Sequence, residues 1–348
     1  MQRDGIGLSL SGGGYRAMLF HTGVLWRMNE LAMLETLDTV SGTSGGAITS
    51  GVLAHGWHEL GFARGVATRF IDRIVTPIRS LASITIDLAA ISKGLLKPFR
   101  TIGEELAAAL RRELFGTVTM RDLPHRPRFV FNATNLRNGT RWVFTREWMG
   151  EDTSGWVADP AARLAVAAAA SAAFPPFLSP MVLRLPGQAS RIVLTDGGVY
   201  DNLSMEPVID RCATVLVSDG GGRLERPRNV PRDWLRQTVR VMHVVDNRVR
   251  QLRVRQLSRS YREGDFAGAY WGIYGDSEDF RVPGALQVPF ARTLELAEIP
   301  SRLKALPNST QQRLINWGYA AADAGLRRWI RPTADPPEEF PYPELADD

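Results

Sequence analysis

The chain is poor in the side chains on which much enzyme chemistry rests: 348 residues hold one cysteine and five histidines. The single cysteine, Cys212, excludes an intrachain disulfide, and its place in the apolar run CATVLVSD suits a packed side chain rather than a reactive thiol. No His/Cys cluster has metal-ligand spacing, so neither metal nor other cofactor is expected. The absence of a GxxxxGK[ST] motif excludes a P-loop. No stretch approaches the ~20 apolar residues that span a bilayer. The first residues, MQRDGIGLSLSGGG, also lack the apolar core of a secretory signal, which together gives the expectation of a cytoplasmic protein. Residues 332–348 lack any base; six acids and five prolines there read as a loose surface strap. Without that tail 31 acids face 42 bases, so a chain of net charge +5 carries a body of +11. Such a body suits nucleic acid, anionic lipid headgroups or an acidic partner, and the charge alone does not choose among them.

What is present is ordinary globular material, 44% hydrophobic and 23% charged. GIGLSLS reads as a strand running into three glycines, and YRAMLFHTGVLWRMNELAML as a helix. LDTVSG then exits through a second small-residue turn into AITSGVLAHGW, so the first fifty-odd residues form a strand, helix, strand, helix unit. Residues 60–115 have a mostly helical pattern. Within them, Phe70 to Arg100 is apolar and basic, a composition that fits an anionic membrane surface or an amphipathic core helix with a basic outer face. RPRFVFNATNL and GTRWVFT read as a strand pair, and DPAARLAVAAAASAAFPPF as an Ala-rich helix stopped by Pro175 and Pro176. SRIVLTDGG and CATVLVSDGGG are buried strands, TVRVMHVVDN a further strand candidate, and RVRQLRVRQLSRSYR and QQRLINWGYAAADAGLRRWI helices. With no internal repeat or long linker, the expected organisation is one α/β domain over 1–331 and an appended tail over 332–348.

The small residues of VSGTSGGAI have a chemical reading. Gly42-Thr43-Ser44-Gly45-Gly46 fits GxSxG, a sharp strand-to-helix turn that lifts a serine clear of its backbone. The following helix end aims free N–H groups and a positive dipole at the serine oxygen. Gly12-Gly13-Gly14-Tyr15-Arg16-Ala17 ends the first strand and fits either a dinucleotide fingerprint or an oxyanion hole. The dinucleotide reading needs an acid at the end of the next strand, which ends instead in the Ser44 elbow, so the oxyanion hole is preferred. None of His21, His55, His58, His125 and His243 is well placed as a base. A desolvated carboxylate can serve. Asp196 in TDGGVYDN and Asp219 in SDGGG both end buried strands before glycines.

Together these residues resemble the patatin-like phospholipases, whose pattern is GGGxR[GA], a GxSxG elbow about thirty residues later and a DG[GA] motif well downstream. Here they are Gly12 to Ala17, Gly42 to Gly46 and Asp196-Gly197-Gly198, and the segment Ala170 to Pro180 also looks like the family's. The resemblance covers about residues 5–220. It departs at Ser11, where many members carry Asp, and at Ala17, which replaces a glycine. It implies a patatin-like three-layer α/β/α sandwich with a mostly parallel central sheet. It further implies a Ser44–Asp196 dyad without histidine, with Asp201 and Asn202 supporting the loop. The N–H groups of Gly12, Gly13 and Gly14 would form the oxyanion hole, and phospholipids or other acyl-ester lipids at a peripheral membrane surface the substrate. Two alternatives stand beside a constitutive lipase: a toxin or defence effector switched on by a protein activator, and a catalytically silent lipid-binding module. The arginines between 248 and 262 come without a DNA- or RNA-binding motif, so no nucleic-acid partner is expected.

Overall fold

The alternating run IGLSL forms β1 (Ile6–Leu10), and the glycines after it release the chain into α1 (Gly14–Glu30). β2 (Leu37–Gly42) lies parallel to β1 and passes through Thr43 and Ser44 into α2 (Gly45–Gly56). This is a computed structural model, and it describes residues 3–87, 101–175, 177–185, 191–222, 224, 230 and 233–345. A two-residue hairpin, β3 (Phe62–Ala63) and β4 (Val66–Ala67), precedes α3 (Thr76–Ala82) and α4 (Ile102–Leu110).

The main sheet continues with β5 (Arg128–Asn135), β6 (Arg141–Phe144), β7 (Trp148–Glu151) and β8 (Gly155–Ala158). After the Ala-rich α5 (Leu164–Ser171) come β9 (Met181–Arg184) and β10 (Arg191–Asp196). Two short helices, α6 (Gly198–Asp201) and α7 (Glu206–Ile209), lead to β11 (Thr214–Asp219). The chain then forms α8 (Trp234–Glu263), β12 (Ala267–Gly272), α9 (Phe290–Glu298) and α10 (Asn308–Trp329). Strands β12, β11, β1, β2 and β5 form a parallel block in that order, as expected for an α/β sheet. β6, β7 and β8 extend it as an antiparallel meander.

Alternation along buried strands supplies both faces of the sheet with apolar groups. Leu8, Leu10, Val40 and Leu216 join the large core with α1, α2, α5 and α10. Val215 and Val217 face the other way, into a smaller core with Val208, Cys212 and Leu257. The sheet is thus the middle of three layers.

Three expectations are revised. TVRVMHVVDN is not a strand but part of α8, which Asp233 caps by accepting a hydrogen bond from the Arg236 N–H and which Gly264 ends at φ 78°. Its inner groups, Leu257 and Tyr261, pack on β11, and that tertiary contact outweighs the β preference of the valines. In the Phe70–Arg100 segment, Phe70, Ile74, Val75, Ile78, Leu81 and Ile86 are buried in the large core, so over 70–87 the core-helix alternative holds; residues 88–100 lie outside the described residues. The tail is a strap that is pinned rather than loose: Asn316 exchanges two hydrogen bonds with the Tyr342 backbone, the Tyr342 hydroxyl accepts from Arg79, and Phe340 is buried. No helix among the described residues is long and apolar enough to cross a membrane.

Candidate active site

Ser44 adopts φ 53° and ψ −119°, a backbone conformation that a residue with a Cβ rarely occupies. The elbow is held there by the contacts of its neighbours. The Ser44 N–H donates to Ser171 Oγ at 3.0 Å, and the Gly46 N–H donates to the carbonyls of Ser11 and Thr43. The Ser44 hydroxyl makes no capping bond to α2 and stays available. Close approach explains two of the surrounding glycines: a Cβ on Gly45 would stand 2.3 Å from the Gly14 carbonyl oxygen, and one on Gly12 would stand 3.2 Å from the Ser44 Cβ. The elbow and the first glycine loop therefore touch backbone to backbone.

Asp196 reaches the same place from the opposite direction. β2 runs parallel to β5 until Gly42 stands opposite Phe131, whereas β10 runs antiparallel along β5 until Asp196 stands opposite Ala133. The C-terminal ends of β2 and β10 thus converge on one stretch of β5, with Asn132 between them. Asn132 Nδ2 donates to Ser41 Oγ at 2.9 Å and to Ser204 Oγ at 2.7 Å, bracing the junction. The backbone of Asp196 is fixed by its N–H to the Ala173 carbonyl (3.0 Å) and by Thr134 Oγ1 donating to its carbonyl (2.8 Å).

The Asp196 carboxyl is 2% exposed. Its Oδ1 accepts the Gly198 N–H at 2.7 Å; its Oδ2 has no well-aligned partner among the described residues. Burial raises its pKa to about 7, against the opposing effects of the Gly198 N–H and the Ser44 hydroxyl, and the Asp246 charge adds to the rise. A carboxylate so tuned is a competent general base near neutral pH.

The glycine loop needs one correction. The Gly12 N–H is spent on the Asn202 carbonyl at 3.0 Å and is not free for an oxyanion. Gly13 and Gly14 N–H groups meet no acceptor among the described residues, nor does that of Gly45. Gly45, directly after the serine, escaped the sequence reading although GxSxG itself points to that N–H. Ser171 and Asn132 also escaped it, because nothing local marks a small polar residue as a brace. Asp201 and Asn202 do support the loop: the Asp201 carboxylate accepts from Leu203 and Met205 N–H groups, and Asn202 holds Gly12.

Two rival groups, Asp219 and His21, are occupied elsewhere. Asp219 is fully buried and accepts from Gly221 N–H (2.9 Å) and Tyr270 Oη (2.8 Å) beside Arg250, a structural strand end. His21 lies between Ser218 Oγ and the Ser11 carbonyl, and burial lowers its pKa to about 4. His243 lies on α8, exposed, its ring beside that of Phe174. A cavity of about 210 Å3, with Leu296, Ile299, Trp317 and Phe340 among its walls, is lined by neither Ser44 nor Asp196.

Fold and site together define an α/β protein with a strand-end serine elbow set against a buried aspartate. The chain belongs to the patatin-like phospholipase family, whose model matches residues 8–209. Over 42 residues, 12% of this chain and 7% of the other, it is 48% identical to SPO1 of Saccharomyces cerevisiae, named as a candidate meiotic phospholipase. Among solved structures it is similar to human GIVD cytosolic phospholipase A2, with a TM-score of 0.56 at 12% identity over 94% of this chain and 62% of that one. The same human protein in complex with methyl gamma-linolenyl fluorophosphonate gives a TM-score of 0.54 at 15% identity, over 94% and 58%. The chain therefore spans less than two thirds of the length of these relatives, and at such identities the structural likeness shows the fold alone.

Proposed function

We propose that the protein is a lipid acyl hydrolase of phospholipase A type that cleaves carboxylic esters of membrane phospholipids, acting as a cytoplasmic protein that meets membranes peripherally. Membership of the patatin-like phospholipases supports a lipid ester hydrolase. The observation that carries the mechanism is the convergence of β2 and β10 on β5, which sets a buried carboxyl of pKa about 7 against the elbow serine.

Asp196 takes the proton of Ser44 as the serine oxygen attacks the ester carbonyl. The oxyanion of the tetrahedral intermediate accepts hydrogen bonds from Gly13 and Gly14, with Gly45 as a third donor. Collapse breaks the bond to the alcohol, which leaves with the proton held by Asp196 and yields a lysolipid and an acyl-serine. Water, deprotonated by Asp196, then attacks the acyl carbonyl, and Ser44 departs as the restored hydroxyl with release of the fatty acid.

The test is fatty-acid release from mixed phospholipid vesicles by the wild type and by folded Ser44→Ala, Asp196→Ala and His243→Ala variants. The first two should lose more than about a thousandfold in turnover, with His243→Ala active. Release that survives in Asp196→Ala and disappears in His243→Ala would replace the dyad with a histidine mechanism. No release by the wild type from any lipid mixture would favour a protein-activated enzyme or a silent lipid-binding module.

A further inference from the structure

The N-terminal two thirds of α8 present an apolar stripe to solvent. Trp234, Val241, Val245, Val249 and Leu252 follow one another at spacings of seven, four, four and three residues, which puts them on one face of the helix. They are exposed there, Trp234 by 78%, Val245 by 55% and Leu252 by 60%. The opposite face holds the helix to the protein, through Arg250 on Asp219, Leu257 in the smaller core and the Tyr261 hydroxyl on the Val215 carbonyl. A row of valines and a tryptophan turned away from the body is costly in water and calls for a partner.

Two observations identify the chemistry of that partner. The helix carries eight arginines against Asp246 and Glu263, and exposed Arg248 and Arg255 flank the stripe on one side. An apolar ridge bordered by guanidinium groups fits an interface of acyl chains beneath anionic headgroups, and tryptophan favours that boundary. The helix that bears the stripe also lies, by its inner face, beside the catalytic junction. α8 packs against α6, which follows Asp196; the His243 ring lies 6.2 Å from that of Phe174, next to the Ala173 carbonyl that holds the Asp196 N–H; and the Asp246 charge acts on Asp196. Phe177, between α5 and β9, and Val199, in α6 just after Asp196, are further exposed apolar groups.

We infer that the solvent face of α8 docks on an anionic lipid surface and so brings the Ser44–Asp196 junction to the membrane. The inference rests on the lipid-hydrolase reading for its purpose but not for its test, since binding can be measured without turnover. In a Ser44→Ala background, co-sedimentation should be strong with phosphatidylcholine vesicles containing a minority of phosphatidylglycerol. It should weaken with pure phosphatidylcholine and with added salt. Introducing Val241→Glu and Val245→Glu should lower vesicle binding by at least about tenfold, while the circular dichroism melting curve stays unchanged. With Ser44 restored, the same pair should depress release from vesicles far more than turnover of a soluble short-chain ester. Vesicle binding that survives the two glutamates, or that the parent protein never shows, overturns the inference. So does a stripe that instead holds two copies of the chain together, seen as a dimer that the glutamates dissociate without any vesicle binding. Failure of the hydrolase reading would look different: no ester turnover by the wild type, with lipid binding intact.

Discussion

The Ser44 N–H donates to Ser171 Oγ at 3.0 Å, and the Ser171 carbonyl accepts the N–H of Gly197, the residue after Asp196. One residue at the end of α5 thus ties the Ser44 elbow and the Asp196 turn to a single point. In the mechanism proposed above, Ser171 touches no reacting atom and is a positioning residue.

Ser171→Ala should therefore act on geometry. It leaves the half-buried Ser44 N–H without its Ser171 acceptor, at a cost of about 1 kcal/mol in stability. Turnover should fall by roughly 10- to 100-fold with KM little changed, because a small misplacement of the nucleophile harms the transition state more than ground-state binding. Chemical denaturation and soluble-ester kinetics check this. Equal loss in KM and kcat would point instead to a damaged substrate site.

The backbone of Ser44 stores strain, and two variants that both lack the hydroxyl isolate it. Ser44→Gly relieves φ 53°, whereas Ser44→Ala keeps a Cβ in the same conformation. The glycine variant should be more stable in urea than the alanine variant by about 1–2 kcal/mol, and both should be inactive. An alanine variant as stable as the glycine one would mean that the elbow holds no strain.

Burial of Asp196 has a pH signature of defined sign. Its pKa rises from 3.8 in the unfolded chain to about 7 in the folded one, so the folded state binds the proton more tightly. The resulting stability is fully present below pH 3.8 and is lost as the pH rises through about 7. Asp196→Asn should match the wild type in acid and exceed it by about 2–4 kcal/mol at pH 8. In the wild type, kcat/KM for a soluble ester should climb through pH 7 as the base ionises. Stability curves of the two proteins that stay parallel over this range would show that the carboxyl is not buried as described.

Much of the site is written locally in the chain. The elbow is legible because a strand, five small residues and a helix are contiguous, and the glycine loop because consecutive glycines follow an alternating run. Asp196 is legible as a strand end before glycines. The braces are not: Ser171 and Asn132 look like any small polar residues until the fold brings them across from Ser44 and Gly42. Gly12 shows the reverse, since its sequence gives a free N–H and only the fold supplies the Asn202 carbonyl that consumes it. The valines of α8 read as a strand for a related reason. Their β preference is local, and the contacts of Leu257, Tyr261 and Arg250 that hold the helix on the sheet are not.

By itself the sequence determined the kinds of groups at the site and the turns that present them, because both depend on neighbours within a few residues. Tertiary structure alone decided that β10 runs against β5 while β2 runs with it, so that Ser44 and Asp196 meet head to head. Strand direction is set by pairing between segments far apart in the chain, and the alternation of a buried strand is the same read in either direction.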